Sequence, residues 1–335
     1  MLTQMDDRLA LDGDDVWLLP EHELQLQSLD ALAHNKRYVV AQSMVQQSRF
    51  NLGLLILFIL SIFVVNAFFI VVILMSKALR SSSKHILILS VAFGDLIQGL
   101  LILPLITDLG MKGSTVTECS TFHVARLFAD FLIPSITTLG VLVLNIDYIL
   151  RLTCNLYSEG GSRACILGSL FVGPWLVSIL LLVPIYIVSL RKISPYNTGN
   201  MCQIITEGVY ARTLLTMSYI LYGCILLVVT LSVAVMYLIK REYLGLDVCG
   251  ERVHAPFDIC LASFVNILFY TPIFLFALLT TEGYLGCAAD SECRTLEGVY
   301  TFALWLMLTK SWILPMAWIF GTDTRAGIRQ AIPFC

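Results

Sequence analysis

Charge is scarce in this chain. Only 13% of its 335 residues are Asp, Glu, Lys or Arg, while 58% are hydrophobic. A soluble domain of that balance would have to expose much of its apolar side chain, so the composition excludes the ordinary soluble class. The formal net charge of −3 and the lack of a long basic run give no ground for a nucleic-acid partner. There is no His/Cys cluster with metal-ligand spacing, no Gly-rich phosphate loop and no nucleophile with a partner base. No metal, cofactor or enzymatic activity is therefore expected. No charged-then-apolar leader opens the chain, so no signal peptide is expected. No N-x-S/T sequon occurs either, since Asn197-Thr198-Gly199 fails at its third position.

What is present is a set of apolar runs. Seven of them lie near residues 52–75, 86–107, 122–152, 164–190, 214–239, 257–280 and 298–320. Each is long enough for a ~30 Å hydrocarbon core, which takes ~20 helical residues. Backbone groups in lipid must satisfy one another, which makes these runs helices. Their connections are short, so successive helices should be neighbours. The expected fold is an all-α, seven-helix transmembrane bundle over residues 51–321. An acid-rich tail over 1–50, expected to be disordered, precedes it, and 322–335 forms a short cytoplasmic tail or amphipathic helix.

Lys and Arg set the orientation. One side collects Lys77, Arg80, Lys84, Arg151, Arg163, Lys240, Arg241, Arg252, Arg325 and Arg329, against Lys112, Arg191, Lys192 and Arg294 in the short loops of the other. This predicts an outside N-terminus, a cytoplasmic Cys335 and a multi-pass protein of the plasma membrane, with the lipid bilayer as its first partner. Cys119, Cys202, Cys287 and Cys293 all fall on the outer side, where disulfides persist, so two outer pairs are expected. Asp258 and Glu251 should face the cytoplasm, and His85, near a helix end, should be interfacial.

Asp95, Arg126, Asp130 and Lys310 fall well inside the spans. An ionisable group in a bilayer is costly and marks a functional site by default. Stretch 119–152 carries two of them and ends in Asp147-Tyr148 just before Arg151. It is the candidate central helix.

Together these residues resemble the rhodopsin-like (class A) G-protein-coupled receptors over about residues 50 to 330. The marks are one per helix: Asn66 in VVNAFFIV; Asp95 in LSVAFGD, with Pro104 after it; the Cys119/Cys202 pair; Trp175 with Pro184; Tyr237; Pro272 in FYTP; and Pro315 in LPMAW. The departures are equally specific. The family's DRY reads Asp147-Tyr148-Ile149, with Arg151 one turn further on. Arg252 stands where many relatives have an acid. Tyr270 replaces the tryptophan switch, Leu314 the asparagine of NPxxY and Trp318 its tyrosine.

The resemblance implies a receptor for an extracellular ligand, a small molecule or a peptide, signalling through a heterotrimeric G protein or arrestin. Pro272 and Pro315 would be its bending points, and the departures imply atypical or weak coupling. The alternative is a seven-helix decoy, scaffold or dimer partner that does not couple. In this family the place of Asp95 holds a sodium ion, and Lys310, five residues before Pro315, would line the same cavity. Lys310 either replaces that ion as a partner of Asp95, faces a watery cavity unpaired, or pairs with Asp130. Opsins carry their lysine seven residues before this proline, and the ~200° rotation between the two places argues against a retinal Schiff base. The ligand pocket would be edged by Arg126 and Asp130, with Tyr270 at its floor. Counting from Asp147 puts Asp130 at the ligand-anchor place, and counting from Cys119 puts Arg126 there. The interval is four residues longer than usual, with Pro134 as the expected kink. Arg126 and Asp130, at i and i+4, can equally neutralise each other.

Orientation is directly testable. A tag within residues 1–40 should be reached by protease from outside the cell, and one after Arg329 only from inside; both on one side would overturn the seven-span topology.

Overall fold

The computed structural model describes residues 49–105, 121, 124–125, 127–153, 160–190, 213, 221–243, 255–281 and 290–331. Arg126, Cys119, Cys202 and Cys287 lie outside them, as do the tail 1–48 and the side chains of Asp130 and Cys293.

Among the described residues the protein is helical, with no strand. The elements are α1 (Arg49–Met75), α2 (Lys77–Ser81), α3 (Ser83–Ile97), α4 (Ile133–Thr153), α5 (Gly160–Leu190), α6 (Tyr222–Tyr243), α7 (Phe257–Thr281), α8 (Asp290–Trp318) and α9 (Thr322–Ala331). Six helices are long and apolar enough to cross a membrane: α1, α3 with its continuation to Leu105, and α4 to α7. This is consistent with a multi-pass membrane protein. The seventh expected span falls within α8, which is 29 residues long, or ~44 Å at 1.5 Å per residue.

Packing follows the distribution of apolar surface. In α4, 72% of the spanning residues are buried, against 17% in α5 and in α6. Thus α4 is the central helix, touching α3, α5, α6 and α7, while α7 packs on α8 and α8 closes back on α1. The main core gathers Phe69 and Ile73 of α1, Leu87 and Val91 of α3, Val141 and Leu144 of α4, Ala262 of α7, and Leu314 and Trp318 of α8. Leu57, Leu180, Val228 and Leu238 point outward and are exposed, which suits a lipid surface. Several hydroxyls in this apolar setting return to their own helix: Thr137 donates to the Ile133 carbonyl at 2.9 Å and Thr230 to the Leu226 carbonyl at 2.7 Å.

Two π-helical turns break the regular helices. One, Gln98–Ile102, continues α3, and the other, Phe128–Leu132, leads into α4. Each precedes a proline by the same spacing. The Leu103 N–H donates to the Gln98 carbonyl just before Pro104, and the Ile133 N–H to the Phe128 carbonyl just before Pro134. A proline lacks an N–H, and its ring presses on the carbonyl four residues back. A widened turn relieves both problems. The kink expected at Pro134 is therefore this π turn. It takes up one residue beyond the α-helical count, not the four by which the interval is long.

Two sequence expectations are corrected at the end of the bundle where α9 lies. Asp258 does not face the cytoplasm: it is only 2% exposed, in ion-pair contact with Lys84 at 2.8 Å. His85 is not interfacial but buried, its Nε2 3.1 Å from Thr324 Oγ1 of α9. Both follow from α9 folding back against α2 and the start of α3, which seals an end that an isolated helix would leave wet.

Gly99, inside the first π turn, sets the approach of α1. A Cβ there would stand 2.6 Å from Ile62 Cγ2, a β-branched side chain with little freedom to move. Gly99→Ala should destabilise the bundle by about 1–3 kcal/mol. A lowered thermal midpoint, partly restored by adding Ile62→Ala, would confirm the contact; an unchanged midpoint would refute it.

Candidate functional site

The candidate site is assembled from one polar residue on each of several apolar helices. Asp95 comes from the last turn of α3, where the apolar run leaves only a few polar side chains to face inward. Lys310 comes from α8 and Tyr270 from α7, two residues before Pro272. Both charged residues are fully buried, and Lys310 Nζ stands 3.5 Å from Asp95 Oδ1. Lys310 Nζ also donates to the Tyr270 hydroxyl at 3.0 Å and lies 4.6 Å from the centre of the Tyr270 ring. One ammonium thus joins α3, α7 and α8 in the middle of the bundle. Of the three arrangements open for Lys310, this is the pairing with Asp95.

A wider polar layer surrounds the pair. Asn66 of α1 donates to the Ile62 carbonyl at 2.8 Å and to the Ser311 carbonyl at 2.9 Å, which ties α1 to α8 beside Lys310. Ser311 Oγ donates to Gln98 Oε1 at 3.2 Å. Further along, Asn266 of α7 donates to Thr138 Oγ1 at 3.0 Å, and Asn145 of α4 to Ser263 Oγ at 3.0 Å. The layer is rich in acceptors. Asn66 Oδ1, Asn266 Oδ1 and Ser135 Oγ are buried without a hydrogen bond among the described residues, and Asp95 Oδ1 has its ion-pair contact with Lys310. Buried acceptors are normally satisfied, and a carboxylate in such a place calls for a cation. Lys310 is the cation that the described residues bring to it.

The remaining sequence-predicted residues distribute as follows. Pro272 and Pro315 lie inside α7 and α8. Trp318 is fully buried in the main core. Asp147 is buried and accepts from Ser83 Oγ at 3.1 Å. Tyr148 and Arg151 line a cavity of about 560 Å³ at the α9 end of the bundle, with Lys84, Asp258 and Asp323. Tyr270, expected at the floor of an outer pocket, is a partner of Lys310. Asp130 has its backbone in the second π turn.

Sequence reasoning missed Gln98, Ser311 and the pairing of Lys84 with Asp258. Gln98 carried a usable signal, since it follows Asp95 by three residues in an apolar run and so shares its face. Lys84 was read only as an orientation charge, and nothing local in the sequence marks its partner.

No protein-family model matches this chain, and no curated protein matches it. The likeness to rhodopsin-like receptors therefore rests on the residues themselves.

Removing one partner of a buried pair leaves an uncompensated charge, which costs about 3–5 kcal/mol. Lys310→Ala should lower the thermal midpoint accordingly, and its stability should become dependent on sodium, which can enter beside Asp95. Asp95→Asn with Lys310→Met should cost less than the sum of the single changes. Additive losses, or no loss in Lys310→Ala, would show that the two side chains do not act as a pair.

Proposed function

We propose that this chain is a seven-helix receptor of the plasma membrane, resembling the rhodopsin-like G-protein-coupled receptors, with its N-terminus outside. Ligand binding in the outer half, near Arg126 and Asp130, shifts the balance between two packings of α7 and α8. The observation that carries this reading is the tie from Lys310 to Asp95 and Tyr270. It joins the two helices that contain Pro272 and Pro315, close to both prolines, so a small displacement there changes the bend of each. A fixed ammonium in place of an exchangeable ion makes the switch independent of sodium. The ligand is a small molecule or a peptide, and the intracellular partner is a heterotrimeric G protein or arrestin.

Coupling is weak in this reading, because Tyr148 stands where the family places its arginine. A second reading is a seven-helix decoy, scaffold or dimer partner. It is favoured by the inner end, where Lys84, Asp258 and Asp323 hold α3, α7 and α9 together.

Nucleotide exchange on added G proteins separates the two. The receptor reading expects a low agonist-independent rate from the unmodified chain and a higher one from Tyr148→Arg. No exchange from either chain, with both correctly folded at the surface, would favour the non-coupling reading.

A further inference from the structure

The inner end of the bundle contains an ion pair with a spare partner. Lys84 Nζ of α3 lies 2.8 Å from Asp258 Oδ2 in the first turn of α7 and 3.7 Å from Asp323 Oδ2 in the first turn of α9. The two arms differ in their access to water. The Asp258 side chain is 3% exposed and the Asp323 side chain 45%. Space for the buried arm is kept by Gly321, between α8 and α9, where a Cβ would stand 2.6 Å from Asp258 Oδ2. All three charged residues form part of the wall of the 560 Å³ cavity.

This arrangement differs in kind from the pair in the core. Asp95 and Lys310 are both fully buried, and neither has a second ion-pair partner among the described residues. Parting them would strand a charge in a low-dielectric interior. Parting Lys84 from Asp258 strands neither group once the first turn of α7 moves outward. Lys84 keeps Asp323, and Asp258 is the second residue of α7, at the edge of the bundle. Brought into water there, its carboxylate retains the favourable field of a helix N-terminus. Both the joined and the parted states are therefore electrostatically satisfied, which is what a two-state element requires.

We propose that Lys84 is a two-position latch. Engaged with Asp258, it holds the inner end of α7 against α3 and α9. Transferred to Asp323, it frees that end of α7 and widens the inner cavity. The latch stands on this geometry and does not depend on the receptor reading.

Cys260, half-buried one turn into α7 and close to Tyr148, is a native reporter. The full chain in lipid nanodiscs is treated with a charged, membrane-impermeant thiol reagent, and modification is followed residue by residue by mass spectrometry. The exposed Cys224 of α6 is the internal control. Lys84→Met and Asp258→Asn should each raise the Cys260 rate about tenfold, because the closed state loses its tie. Asp323→Asn should lower it below the parent, because the open state loses its tie. The charge exchange Lys84→Asp with Asp258→Lys should return the rate toward the parent. A purely structural pair predicts a rise or no change in Asp323→Asn, and either result overturns the latch. So does a Cys260 rate unchanged in Asp258→Asn, or a parallel rise at Cys224, which would mean that the bundle as a whole had loosened. Where Lys84→Met does not fold, the opposite signs expected of Asp258→Asn and Asp323→Asn decide the matter.

Discussion

A carboxylate and an ammonium buried together in the middle of an apolar bundle constrain everything around them. Each would be expensive there alone, and their mutual attraction repays the loss of water only at close range. Asp95 and Lys310 stand 3.5 Å apart with no solvent access. To keep them so, α8 must pack against α3 as well as against α7 and α1, and the register of each helix is held to within a fraction of a turn. Tyr270 extends the constraint to α7, and the Asn66 bond to the Ser311 carbonyl extends it to α1. In a lipid environment apolar packing does not by itself distinguish one helix pairing from another, since lipid tails are as apolar as leucine. Polar ties of this kind supply the discrimination.

The irregular turns serve the same arrangement. Pro104 and Pro134 each remove a backbone donor, and each is preceded by a π turn that accommodates the ring. One turn contains Gln98 and Gly99: the first accepts from Ser311, and the second lets α1 approach through Ile62. The other contains Asp130. Widened turns are uncommon in helices and concentrate where side chains must be aimed away from the regular α-helical positions.

The bundle thus has two electrostatic levels with different mechanical properties. Among the described residues the central level has no second ion-pair partner and acts as a pin. The inner level, around Lys84, has an exposed alternative and can exchange. Motion of α7 would then pivot about the Tyr270–Lys310 contact, with its freedom set at the inner end. Apolar packing of Leu314 and Trp318 against α1 and α3 keeps the C-terminal half of α8 in place.

Much of this could be read from the residues before any coordinates. Scarce charge and long apolar runs determined that the chain is helical and suited to a membrane, because lipid leaves the backbone no other way to satisfy itself. The cost of burying charge marked Asp95 and Lys310 as important, and the resemblance to the rhodopsin-like receptors, not periodicity, made Lys310 a candidate partner of Asp95. Pro134 announced a break in the central helix, although not its form. Only the tertiary structure decided which of three environments Lys310 occupies, that Tyr270 is its second partner, and that Asp258 is buried against Lys84 rather than wet. Those outcomes depend on residues separated by 40 to 215 positions in the chain. Local periodicity says which face of a helix a side chain occupies, but not which helix that face will meet. The meeting is set by the packing of all the helices at once, and so the pairing became visible only in the assembled bundle.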